Sequence, residues 1–361
     1  MKKTITILFL SLGIGIAHQE ATAKIWRVNN NGLSADFAQI LDANNDPNVL
    51  AGDTLHIEGS NTDYNSVTLT KSLNIIGPGY FLNQNPKASA NGLEARIPYI
   101  TLDNGSAGTK LIGLCVTGSW GIEVNVSNIV IKRCKINAQI DFTYGISNIT
   151  IIQNYFYRTG SNNNSSVITY ISWGFPTGVI FNNNIVQGSL RINSNPAFTF
   201  SECNNNIFDV AAIVNTPSLE FYTASFKNNI LPTSTATVKI NGISDFNVSS
   251  SPVVTHNVSS SSTVHFGTSN NNIVVSNMAS NLFVLASSNT EDGKYQLQAS
   301  SPASSNGSDG TDRGAFGGSA VSNRYMLSGL SPIPVIYEVS TSGVASPSNG
   351  LSITIKARTI K

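Results

Sequence analysis

Trp120, Lys135, Tyr155, Tyr157, Arg158 and Trp173 bring rings and cations into one stretch of the chain, with Tyr144 and Tyr170 beside them. Flat aromatic faces next to ammonium and guanidinium groups suit the apolar faces and the hydroxyl or acid groups of a sugar chain. Between Lys110 and Thr290 the carboxylates are Glu123, Asp141, Glu202, Asp209, Glu220 and Asp245, with no Asp-Asp or Asp-x-Asp among them. Acid–base chemistry needs two groups flanking one bond, and calcium needs several oxygens converging on one point. His56, His256 and His265 are too scattered for metal-ligand spacing. Asp309 and Asp312 lack the spacing of a calcium loop and read as turn formers. No metal site is therefore expected. Cys115, Cys134 and Cys203 are odd in number and show no framework spacing, so they read as buried free thiols.

Whether any of these groups meet depends on the elements that carry them. A pattern of the form apolar-x-apolar-x-x-Asn-x-apolar recurs, best seen in Ile129 to Ile136, Ile149 to Phe156 and Val179 to Val186. Its anchors fall at 114, 134, 154, 184, 206, 229 and 257, in steps of 20, 20, 30, 22, 23 and 28 residues. Two-residue alternation marks strands, and the interruption before the anchor marks a corner. Asn suits a corner because it tolerates the left-handed backbone and bonds locally to main chain. Repeated corners stack, so Asn154, Asn184, Asn206 and Asn229 are expected to form an amide ladder that Cys134 interrupts at one end. Ile129, Ile131, Ile136, Ile149, Ile151, Phe156, Val179, Phe181 and Val186 are expected to line one continuous core. Tyr155 then lies over Lys135, both facing away from that core.

The composition supports such an all-β solenoid. Asn contributes 44 of the 361 residues, charged residues only 11%, and Lys+Arg (21) nearly equal Asp+Glu (20). Uncharged Asn, Ser and Thr must make the surface and are poor helix formers. No basic field attracts phosphate, so nucleic acid is excluded as a partner. Lys2 and Lys3, the apolar run Thr4 to Ala17 and the small-x-small sequence Ala21-Thr22-Ala23 read as a signal peptide over residues 1–23. Export places the chain outside the cell, at its surface or in a periplasm, with no transmembrane segment in the mature chain. Ser34 is expected to cap a short helix on which Phe37, Ile40 and Leu41 share a face, within an N-terminal cap over 24–50. A C-terminal capping segment over 319–361 is expected to pair Val335 to Val339 with Leu351 to Lys356 as a hairpin.

Ala51-Gly52-Asp53-Thr54-Leu55-His56-Ile57, followed by Lys71-Ser72-Leu73-Asn74-Ile75-Ile76-Gly77-Pro78-Gly79, resembles the first coils of pectate-lyase-like right-handed parallel β-helix proteins. Ser301-Pro302-Ala303 with Gly310-Thr311-Asp312-Arg313-Gly314-Ala315-Phe316-Gly317-Gly318 is similar to the closing coil of secreted bacterial members. The resemblance implies a right-handed parallel β-helix over 51–318. Lyases of that superfamily hold calcium on carboxylates from neighbouring coils, with a Lys or Arg as base, and its hydrolases use closely spaced Asp residues. Here the carboxylates sit at +9, +7, −4, +3, −9 and −12 from their nearest anchors, and no two on adjacent coils share an offset. The resulting expectation is a non-catalytic exported or surface-associated rod that uses no cofactor. It would bind polysaccharide or other cell-surface components through Trp120, Lys135, Tyr155, Tyr157, Arg158 and Trp173. The alternative is a polysaccharide lyase, hydrolase or epimerase with an irregular site, using calcium if it is a lyase.

Overall fold

The computed structural model describes residues 23–85, 88, 91–137, 139–143, 145–157, 168–170, 175–188, 198–210, 218–232, 237–241, 253–260, 268–341, 343–348 and 350–359. The expected signal peptide lies outside these residues but for Ala23.

The alternating segments form strands as their period requires, and the strands assemble into two long parallel sheets. The first contains eight, running from Ile25–Val28 through Ile129–Lys132, Ser147–Ile152 and Thr177–Asn182 to Phe200–Glu202. The second contains twelve, among them Arg96–Leu102, Cys115–Val124, Lys135–Ile136, Ile140–Phe142, Tyr155–Phe156, Ile185–Gly188 and Ile207–Val210. Parallel neighbours cannot be joined by a tight hairpin. The chain instead crosses to the other sheet between them, and each return adds a strand in register with the last. Ile131 thus pairs with Ile151, and Ile151 with Phe181. All nine expected core residues are 0% exposed and belong to one cluster between the sheets.

The corner before each anchor repeats one conformation. Gly113, Arg133, Gln153, Asn183, Asn205, Asn228, His256 and Asn271 all have φ between 54° and 66°. The left-handed residue is therefore the one before the anchor, not the anchor itself. The anchor amide turns inward and is satisfied twice over. Asn154 Nδ2 donates to Ile131 O at 2.9 Å and to Asn184 Oδ1 at 3.1 Å. The same pair of bonds recurs from Asn184, Asn206, Asn229 and Asn257. The ladder thus runs to Asn272, two rungs beyond the four residues expected. At its other end the Cys134 N–H donates to Asn154 Oδ1 at 2.9 Å. Burial pushes the Cys134 thiol up to about 12 and raises those of Cys115 and Cys203 as well. Since the thiolate is the reactive form, a chromogenic disulfide reagent is expected to label no cysteine in the native protein and all three after unfolding. Rapid native labelling of Cys134 would contradict this.

Two expectations about the ends need correction. The structure does not support a helical cap. The only helix there is Ile40–Asn45, with Gln39 rather than Ser34 at its N-cap. Phe37 is drawn instead into a parallel bridge with Val28, and Leu41 is 40% exposed, so the expected apolar face does not form. The segment similar to a closing coil also has a different place: it runs back along the corners. Asn183 Nδ2 donates to the carbonyls of Ala315 and Gly317, each at 2.9 Å. Gln153 Nε2 donates to those of Ser322 and Arg324, and Arg133 Nη1 to Leu330 O at 2.8 Å. Gly314, at φ +84°, passes so close that a Cβ there would stand 2.7 Å from Ile230 Cδ1. The left-handed corners thus offer one column of outward side chains, and this strap takes them in order. Beyond it Pro334–Thr341 and Ile353–Thr359 form the expected antiparallel hairpin, whose second strand is exposed throughout.

Candidate functional site

Lys135 and Tyr155 pair in register as expected. The inference that Tyr155 is exposed fails, since it is 2% exposed. The outer face of the second sheet carries Tyr155, Ile185, Ile207, Ile230 and Val258 in one column, and a second apolar layer covers it. That layer includes Tyr80, Leu282, Phe283, Tyr295, Ala315 and Tyr325. The Phe81 ring stands edge-on to Tyr155 at 5.2 Å, and Tyr80 and Tyr157 each lie 6.3 Å away. Burial raises the phenols of both Tyr155 and Tyr157 well above their ordinary range.

Lys135 is held internally as well. Its Nζ donates to both oxygens of Glu94, at 2.8 and 3.0 Å, and lies 4.8 Å from the Phe81 ring and 5.6 Å from that of Tyr157. Its charge is already matched by a carboxylate and two ring faces, which leaves little for a ligand. Trp120, by contrast, is 68% exposed. Arg158, Trp173 and Tyr144 lie outside the described residues.

The carboxylates overturn the offset argument. Glu123 and Asp141 are direct partners on neighbouring parallel strands despite offsets of +9 and +7. Val116 pairs with Ile136 and Ile122 with Ile140, so one strand spends six residues where its neighbour spends four. The two extra residues are absorbed in the irregular stretch that contains Trp120, where the register against Ile97 and Tyr99 also shifts. Ile122, Val124, Ile140 and Phe142 face the core, so Glu123 and Asp141 share the outer face. Neighbouring strands lie about 4.8 Å apart, so the two side chains leave the sheet side by side.

The surroundings orient both acids. Tyr99 donates its hydroxyl to Glu123 Oε2, and Asn125 Nδ2 donates to Glu123 Oε1 at 3.3 Å. Gln139 Nε2 donates to Asp141 Oδ2 at 2.7 Å, and Asp141 is only 3% exposed. Burial, then the Glu123 carboxylate, raises the Tyr99 phenol, so its proton stays available as a donor. Asn125 Oδ1 and Asn137 Oδ1 are buried without a hydrogen-bond partner. Unmet buried acceptors are uncommon. Among the described residues no three His, Cys, Asp or Glu side chains group as a metal site. None of Tyr99, Glu123, Asn125, Gln139 and Asp141 was singled out as a ligand contact by sequence reasoning. The available signal was Gly118-Ser119-Trp120-Gly121, since paired glycines inside a strand mark a bulge.

Among the described residues no helix is long and apolar enough to cross a membrane. The chain matches no family model, no curated protein and no solved structure.

Proposed function

We propose that the two sheets are walls of a right-handed parallel β-helix of the pectate-lyase-like kind, carried by an exported chain that binds polysaccharide. The binding surface is the outer face of the second sheet around Tyr99, Trp120 and Glu123, with the buried Asp141 paired beside Glu123. The observation that carries the reading is the in-register pair Glu123 and Asp141, oriented by Tyr99 and Gln139, beside a Trp120 that is 68% exposed. An indole stacks on the apolar face of a sugar ring, while carboxylates and amide oxygens accept from its hydroxyls. Affinity electrophoresis through gels containing acidic or neutral polysaccharides tests this. Trp120→Ala is expected to weaken retention about tenfold or more, with little change in thermal stability because the ring contributes little to the core. Equal retention of the variant and the wild type would remove the site.

A second reading starts from the same pair. Two carboxyl groups on adjacent strands are the arrangement that hydrolysis of a glycosidic bond uses. New reducing ends after incubation, lost in Glu123→Gln and in Asp141→Asn, would make the surface an active site. Binding without new ends would leave it a recognition surface.

A further inference from the structure

Strand Ile25–Val28 is the outermost of the eight-stranded sheet and pairs there with Thr54–Ile57. An edge strand at the end of a solenoid is where such a fold opens first. Just before it, the Lys24 backbone N–H donates to Asp53 Oδ1 at 2.8 Å, while Lys24 O accepts from Thr54 N at 2.8 Å. Asp53 Oδ2 accepts from Trp26 Nε1 at 2.8 Å and from Leu50 N at 2.9 Å. Asp53 is only 4% exposed, and all three of these donors are neutral as long as residue 23 precedes Lys24. Buried carboxylates are ordinarily matched by a charge. The Lys24 Nζ attracts it only from a distance, standing over the Trp26 ring at 3.2 Å from its centre. Burial alone would raise the Asp53 carboxyl, but the bonds from Leu50, Trp26 and Lys24 outweigh it and hold the group below its ordinary value.

The sequence offers a source for the missing charge. Ala21-Thr22-Ala23 is a small-x-small site whose cut falls between Ala23 and Lys24, both exposed. Hydrolysis there breaks the C–N bond and adds one water, leaving a carboxylate on Ala23 and an α-ammonium on Lys24. We propose that Asp53 receives this α-ammonium, so that removal of residues 1–23 turns the hydrogen bond between Lys24 and Asp53 into an ion pair and fastens the first strand to the next coil. The nitrogen already stands 2.8 Å from Oδ1, the length of a bond from an ammonium to a carboxylate, so no part of the fold has to move. Lys24 is exposed, so water takes the other ammonium protons. A cut one residue to either side would carry the charge away from Asp53, because consecutive Cα atoms are about 3.8 Å apart. The inference rests on the export part of the proposed function.

Three measurements test it. The chain expressed in bacteria with residues 1–23 is expected to be recovered outside the cytoplasm with Lys24 as its first residue, read by intact mass. Two chains released from fusions, one starting at Lys24 and one at Ala21, are then compared by hydrogen–deuterium exchange. Strand Ile25–Val28 should be about tenfold better protected in the first, with Ile129–Lys132 the same in both. Asp53→Asn, which keeps an oxygen for Lys24 but no charge, should abolish that difference. Only the unprotonated amine is acylated, and a carboxylate partner keeps it protonated. The α-amine of the chain starting at Lys24 should therefore react with an activated ester about tenfold more slowly than that of the peptide Lys24 to Val28, a readout that stands even if Asp53→Asn does not fold. The proposal is overturned by a terminus other than Lys24, by equal protection of the two chains, or by acylation as fast as in the peptide. A chain processed at Lys24 whose amine reacts freely would remove the ion pair and leave export standing, whereas a chain that is never processed would take both away.

Discussion

Ile151→Asp is expected to yield no folded protein at 37 °C. The side chain is 0% exposed and sits mid-strand, paired in register with Ile131 on one side and Phe181 on the other. Losing a buried isoleucine removes roughly 1.5 to 3 kcal/mol of apolar burial. Placing an unpaired carboxylate in the same space costs about several kcal/mol more, since among the described residues the cluster between the sheets holds no cation to match it. Together these approach the roughly 5 to 15 kcal/mol that separates a folded domain from its unfolded chain. Circular dichroism and the soluble yield check the outcome. Thr150→Asp, on the outward side of the same strand, should be far milder, and a fully folded Ile151→Asp would mean that the core has been placed wrongly.

Asn206→Ala is expected to be the next most damaging single change, at about 3 to 5 kcal/mol, because an unmet buried polar group costs roughly 1 to 3 kcal/mol. Its Nδ2 donates to Phe181 O at 2.9 Å and to Asn229 Oδ1 at 3.1 Å, and its Oδ1 accepts from Asn184 N at 2.9 Å and Asn184 Nδ2 at 3.2 Å. Truncation removes these bonds and strands the Asn184 N–H and the Phe181 carbonyl inside the core. The neighbouring Asn205→Ala is the control. Asn205 supplies only the left-handed corner at φ 56°, and its Nδ2 has no partner, so about 1 to 2 kcal/mol is expected for placing Ala there. Urea midpoints of the two variants at unchanged slope measure the difference, and equal losses would show that the ladder adds nothing beyond the turn.

The core and the ladder were legible because their signals are local and repeat. An apolar residue at every second place fixes which way Ile129, Ile131 and Phe156 point, and one Asn per corner fixes the anchor. What lies over an outward residue is a different kind of fact. Tyr155 faces away from the core, yet Tyr80, Phe81, Tyr295 and Tyr325, which are distant in sequence, cover it. A clue did exist in the column Ile185, Ile207, Ile230 and Val258, because a strand that is apolar on both faces is buried on both. Counting carboxylate offsets from the anchors failed for another reason. Such counting assumes equal path lengths, and the irregular stretch around Trp120 makes one strand two residues longer than its neighbour. The candidate site was therefore half legible: Trp120 came from the sequence, whereas the Tyr99, Glu123 and Asp141 cluster needed the register.

Hydroxyl-radical footprinting of the protein with and without a retained polysaccharide tests the central claim most directly. Trp120 is 68% exposed and reactive when free, and the account predicts that its oxidation falls several-fold when the polymer is bound. Leu41, 40% exposed and in the N-terminal helix Ile40–Asn45, and Val321, 71% exposed, should be oxidised at unchanged rates. Undiminished oxidation of Trp120 in the presence of a bound polymer, or the failure of every polysaccharide to be retained, would contradict the claim.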